Sequence, residues 1–123
     1  KTVKLALEVY KILNESRLNP TVINVRFLDK ADSKILDELK NSHNIVVTIE
    51  ESVWTGSYTE RLMAESAKCG FDYDFITITL PDSFIEHGSI DELWKKYGFD
   101  AEKIAEKIKE KALSKLDEEL FRR

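Results

Sequence analysis

The residues of this sequence that could do chemistry are few and scattered: two histidines, one cysteine, an adjacent pair of glutamates and an arginine set in an apolar run. Glu86-His87-Gly88 follows a turn at Leu80-Pro81. There His87 could act as an acid or base, sit at an interface, or scaffold the turn. No serine or cysteine nucleophile pattern surrounds it, and a metal site would need partners that the sequence does not supply. Glu50 and Glu51 close an apolar run. Paired carboxylates can divide acid–base work, but neighbours on a strand point to opposite faces and cannot form one dyad. The remaining alternatives are one glutamate turned toward a partner or loop amides, or a solvated strand end. Arg26 lies inside the run Thr21 to Phe27, where a guanidinium needs a partner. A structural ion pair is the expectation, with an acidic strand-end residue or an inter-domain carboxylate as the counterpart. "SVWTGSY" (Ser52 to Tyr58) is a strand-to-helix loop with one glycine, Gly56. It is either a place where backbone approaches a ligand or a plain connection. Trp54 and Trp94 read as packing anchors, or as interface residues if exposed. His43 precedes a strand and is expected to be exposed.

The composition removes several function classes. The chain has 123 residues, 42% apolar and 34% charged, with a formal net charge of −4. That length suits one domain with one core, and the balance suits a soluble globular protein. Acidic and basic residues are interspersed, so a nucleic-acid partner has little support. No apolar run approaches a membrane span. The opening "KTVKLALEVYKIL" carries charges throughout and no cleavage pattern, so it is not a signal peptide. The lone Cys69 excludes an internal disulfide and fits a reducing, cytoplasmic setting. With four glycines in all, there is neither a Gly-x-Gly-x-x-Gly fingerprint nor a P-loop.

These residues are positioned by alternating helices and strands. Val3, Ala6, Leu7, Tyr10 and Leu13 share one helical face, and Asn19-Pro20 ends that helix. Thr21 to Phe27, Asn44 to Glu51 and Asp74 to Leu80 are continuous apolar or β-branched runs and predict buried strands. Asp32 can cap a short helix carrying Ile35, Leu36 and Leu39. A helix from about Thr59 turns Leu62, Met63 and Ala67 inward and stops at Gly70. Ser89 and Glu92 match a capping box for a short helix ending near Gly98. Asp100 caps a last helix with Ala101, Ile104, Ala105, Ile108 and Leu116 inward. The order predicts a three-layer α/β/α sandwich around a mostly parallel sheet. Three strands make a thin sheet, and a helix opening the chain is normally preceded by a strand. A further strand from a longer polypeptide is therefore expected.

"LPDSFIEHGSIDEL" (Leu80 to Leu93), followed by "YGFDAEKIAEKI" (Tyr97 to Ile108), resembles the C-terminal end of the 1-deoxy-D-xylulose-5-phosphate synthase family. That family carries a Leu-Pro-Asp-x-Phe-Ile-x-x-Gly element, a short helix, a turn and a final helix. "TVINVRFL" (Thr21 to Leu28) resembles its strand ending in Arg-Phe. "HNIVVTIEESVWTGSY" (His43 to Tyr58) resembles its His-x-x-Val-Val-Thr-Val-Glu-Glu-Asn element and the following glycine-rich loop. The likeness runs in order from Val3 to Ile108, and the strand motifs alone would indicate only the broader transketolase C-terminal domain superfamily. Asp29-Lys30 replaces the family's Lys-Pro, Ser52 replaces its asparagine, and the loop Gly56 to Glu60 has lost two of its glycines.

The resemblance implies a single transketolase C-terminal-like domain over residues 1–123, belonging to a three-domain, dimeric, cytoplasmic transferase. Such an enzyme uses thiamine diphosphate and magnesium to join a two-carbon unit from pyruvate to glyceraldehyde 3-phosphate. In it the cofactor lies between the other two domains, which also bring the activating glutamate and the catalytic histidines. The resemblance thus assigns no catalytic, cofactor or metal residue here. It leaves Arg26, Glu50, Glu51, Trp54, Gly56, Tyr58, Phe84, Ile85, His87 and Gly88 as interface or loop residues, and implies that the isolated domain is inactive. The alternatives are the C-terminal domain of another transketolase-like enzyme or 2-oxoacid dehydrogenase β subunit, or a stand-alone interaction module.

Overall fold

A computed structural model describes residues 2–25, 33–80 and 90–122. The elements are α1 (Thr2–Glu15), α2 (Ser33–Leu39), β1 (Ile45–Val53), α3 (Tyr58–Lys68), β2 (Asp74–Leu80), α4 (Ile90–Lys96) and α5 (Ala101–Arg122). β1 and β2 pair in parallel, with Ile45 opposite Asp74 and Ile49 opposite Ile78. Parallel pairing requires a crossover, and α3 is that crossover.

The pleat sorts the strand side chains onto two faces. Val47, Ile49, Ile76, Ile78 and Leu80 join a core built with Leu5, Val9 and Leu13 of α1 and with Phe99, Ile104, Ala105 and Ile108 at α5. Val46 and Phe75 join the other cluster, around Leu36 of α2 and Tyr58 and Leu62 of α3. Both faces are therefore covered by helices, which is why these strands read as continuous apolar runs rather than alternating ones.

Three helices end the same way. At α1 the Leu18 amide donates to the Leu13 carbonyl and the Arg17 amide to that of Asn14. At α3 Phe71 donates to Ser66 and Gly70 to Ala67, and at α4 Phe99 donates to Trp94 and Gly98 to Lys95. This is the Schellman closure, which places one residue in the left-handed region. Gly98 takes that conformation freely at φ 84°, but Arg17 holds φ 67° with a Cβ in the way.

Five expectations are corrected, the first being Ala67 on α3, which is exposed while Ser66 beside it is buried. Residues 21–25, the described part of the Thr21 to Phe27 run, form no ladder, and among the described residues the sheet has two strands. β-branched residues favour extended backbone, but a strand exists only where a partner accepts its hydrogen bonds. Here Val22 and Ile23 are exposed, and only Val25 meets the α2–α3 cluster. On α1 the buried line is Leu5, Val9 and Leu13, while Val3, Leu7 and Tyr10 face out. The helix has two apolar lines; of the expected set Leu13 is buried, and packing selected the line it shares with Leu5 and Val9. Leu116 is 52% exposed, because a 22-residue helix rises about 33 Å and outruns a seven-residue strand of about 23 Å. His43 is half-buried, with Nε2 3.0 Å from Thr21 Oγ1 and Nδ1 2.7 Å from Ser42 Oγ. Among the described residues no helix is long and apolar enough to cross a membrane.

Candidate functional site

The best-built polar cluster lies where β1 hands over to α3. Between the pairs Ile49–Ile78 and Val53–Leu80, β1 advances four residues while β2 advances two. Such a bulge bends the strand and re-aims its side chains. Glu50, Glu51 and Ser52 occupy it.

Glu50 turns onto the first turn of α3. Its Oε1 accepts the Tyr58 amide at 3.0 Å, and its Oε2 accepts the Thr59 amide at 3.1 Å and the Thr59 hydroxyl at 2.9 Å. Ser57 caps the same helix by accepting the Glu60 amide at 3.1 Å. Glu60 reaches back to accept the Gly56 amide at 2.6 Å. These contacts satisfy the orphan donors at a helix start and set negative charge against the positive end of the helix dipole. Burial pushes the Glu50 carboxyl up, but the Tyr58 and Thr59 amides and the Thr59 hydroxyl outweigh it, so its pKa lies below the ordinary value. Among the described residues the buried Ser52 Oγ makes no hydrogen bond of good geometry, yet its nearby dipole works in the same direction.

Gly56 supplies the turn with φ 77°, and among the described residues no atom beyond its chain neighbours lies within 4 Å of where a Cβ would stand. The glycine serves backbone conformation there and not close approach. Tyr58 and Thr59 are buried and Trp54 is half-buried. Glu51 points the other way and accepts the Trp94 indole N–H at 3.2 Å. Trp94 stacks on Phe99, with centroids 5.1 Å apart. The two glutamates therefore diverge, and no carboxylate dyad forms.

This arrangement can cap and brace, but it fits poorly with holding an anion. A diphosphate needs several converging N–H donors, and those of Gly56, Tyr58, Thr59 and Glu60 already serve carboxylates or Ser57. Among the described residues no group of three or more His, Cys, Asp or Glu side chains could hold a metal ion. Arg26, Phe84, Ile85, His87 and Gly88 lie outside the described residues. The sequence reading missed Ser57, Thr59 and Glu60, although Ser57 and Glu60 have the Ser-x-x-Glu spacing of a capping box. It also missed the ion pair of Lys115 with Asp74 at 2.5 Å, which ties α5 to the start of β2.

The unit is a parallel strand-helix-strand crossover with helices on both faces of the strands and an internally capped strand-to-helix loop. The chain belongs to the transketolase, C-terminal domain family, whose model matches residues 1–104. It is 36% identical over 110 residues to a 1-deoxy-D-xylulose-5-phosphate synthase of Dehalococcoides mccartyi, covering 88% of this chain and 17% of that protein. Proteins of the same name from Dictyoglomus thermophilum and Dictyoglomus turgidum are 40% and 42% identical, each over 103 residues, 84% of this chain and 17% of theirs. The chain thus spans about a sixth of the length of the curated relatives it matches.

Proposed function

We propose that these 123 residues are the C-terminal domain of a three-domain 1-deoxy-D-xylulose-5-phosphate synthase. The whole enzyme is a cytoplasmic homodimeric transferase. It decarboxylates pyruvate and joins the two-carbon unit to glyceraldehyde 3-phosphate, with thiamine diphosphate and magnesium held by its other domains. The product feeds isoprenoid, thiamine and pyridoxal synthesis. The domain's own part is to pack and position, without chemistry of its own. The observation that carries this division is the capped loop. The amides best placed to cradle a phosphate are bonded to Glu50, Glu60 and Ser57, so an incoming phosphate would have to displace two carboxylates.

Two measurements test it. The full-length gene product, supplied with thiamine diphosphate and magnesium, forms 1-deoxyxylulose 5-phosphate from pyruvate and glyceraldehyde 3-phosphate. The isolated 123 residues give no stoichiometric heat with the same cofactors. A micromolar interaction, roughly −8 kcal/mol, would return Glu51 and His87 to the candidate active-site residues.

A further inference from the structure

Helix α1 carries two apolar lines. Leu5, Val9 and Leu13 are buried in the core. Val3, Leu7 and Tyr10 follow i, i+4, i+7 spacing and are 40%, 52% and 38% exposed. At about 100° per residue the two lines stand roughly 130° apart around the helix, so burying one leaves the other open. A surface helix normally backs its apolar stripe with a polar face. Here the exposed line is edged on one side by Lys4, Glu8 and Lys11, all exposed, so it is an apolar strip with a charged margin, as at the rim of an interface.

The area of the strip decides its partner. Three side chains exposed to this degree offer about 250 Å², taking roughly 200 Å² for a whole large side chain. A free partner held in a specific complex needs about 800 Å² per side, so a second copy would not be retained by this strip alone. A tethered partner needs far less, because a covalent link raises its effective concentration to the millimolar range. The curated relatives devote 83% of their length to sequence outside the match, since the chain spans 17% of it. We infer that Val3, Leu7 and Tyr10 form an intramolecular docking strip, covered by an apolar segment of the preceding part of the same polypeptide. This rests on the reading of the chain as the C-terminal domain of a longer synthase.

The test uses the full-length protein with a photo-crosslinking amino acid at position 7 and, as a control, at the exposed Glu106 on α5. Irradiation at position 7 links this helix to a peptide from the preceding part of the same chain, with at least tenfold less product from position 106. Leu7→Glu in the same protein speeds proteolytic release of the C-terminal domain several-fold. Crosslinks from position 7 to a second copy of this domain, or none at all, overturn the docking strip. Unchanged release of the Leu7→Glu protein also overturns it. The synthase assay runs on the same preparations. Product formation without crosslinks sinks the strip alone, and crosslinks without product formation sink the synthase reading alone.

Discussion

Replacing Glu50 with alanine removes three acceptor contacts at once. The Tyr58 and Thr59 amides and the Thr59 hydroxyl lose their partner, at a helix start packed against Leu36. A hydrogen bond to a charged group contributes about 1.5–3 kcal/mol where the donors are dry, and the charge at the helix N-terminus adds about 0.3–1 kcal/mol. Glu50 is only half-buried, so water can re-solvate part of what is freed, and the lower end of the range applies. We expect a loss of about 2 kcal/mol, which for a chain of this size lowers Tm by roughly 6–8 °C. Glu50→Gln keeps the shape and one acceptor but loses the charge, and should give about half of that. The pH dependence separates this contribution from generic packing. The folded pKa of Glu50 is depressed below 4.5, so its stabilisation is complete above the unfolded pKa and is lost as pH falls through the folded value. The difference between wild type and Glu50→Gln is therefore full at pH 7 and shrinks below about pH 4.5. Thermal melts by circular dichroism at pH 7 and pH 3.5 read both. A Glu50→Ala protein melting within about 1 °C of wild type at pH 7 would show that the helix start is satisfied by water alone.

Arg17→Gly relieves the left-handed strain at the end of α1 and should stabilise by about 1 kcal/mol, seen as a higher urea midpoint with an unchanged slope. Phe99→Ala empties the centre of the α1–α5 core, where Phe99 is 4% exposed, and should cost about 3–4 kcal/mol in denaturant melts. The Lys115–Asp74 pair holds the Asp74 carboxyl below its ordinary range, mainly through their hydrogen bond. Both side chains remain partly exposed, so a double-mutant cycle should return less than about 1 kcal/mol. That coupling should weaken in 1 M salt; one that persists there would contradict a solvent-screened pair.

Strand β1, strand β2 and every described helix are legible in the sequence, the longer ones by their periodicity and the seven-residue α2 and α4 by their cap residues. Ile45 to Ile49 and Asp74 to Leu80 are continuous apolar or β-branched runs with a helix between them, the pattern of neighbouring parallel strands, and alternation along a strand predicts that Glu50 and Glu51 diverge. What Glu50 meets could not be read, because its partners lie eight and nine residues on and depend on the bulge. The cap by Ser57 is readable in its Ser-x-x-Glu spacing with Glu60. The burial of α1 was ambiguous in principle: two apolar lines satisfy the same periodicity test, and only the sheet chooses between them. Thr21 to Val25 misled because side-chain branching reports backbone preference and carries no information about a partner. Leu116 misled because periodicity does not record where the sheet ends. Arg26 and His87, the two most distinctive side chains in the sequence, fall outside the described residues.

The shared closure of α1, α3 and α4 bears on how the chain folds. In each, the residue that donates the final amide bond also inserts its side chain into a core: Leu18 and Phe99 into the α1–α5 cluster, Phe71 into the α2–α3 cluster. Stopping a helix and filling the interior are thus one event for each of the three. A helix that formed early could make these local backbone bonds alone, but would gain their hydrophobic anchor only once the core received that side chain, and a core that loosened would weaken the helix ends with it. Local melting should therefore be rare at these termini, and their amides should exchange with solvent at rates set by opening of the whole cluster.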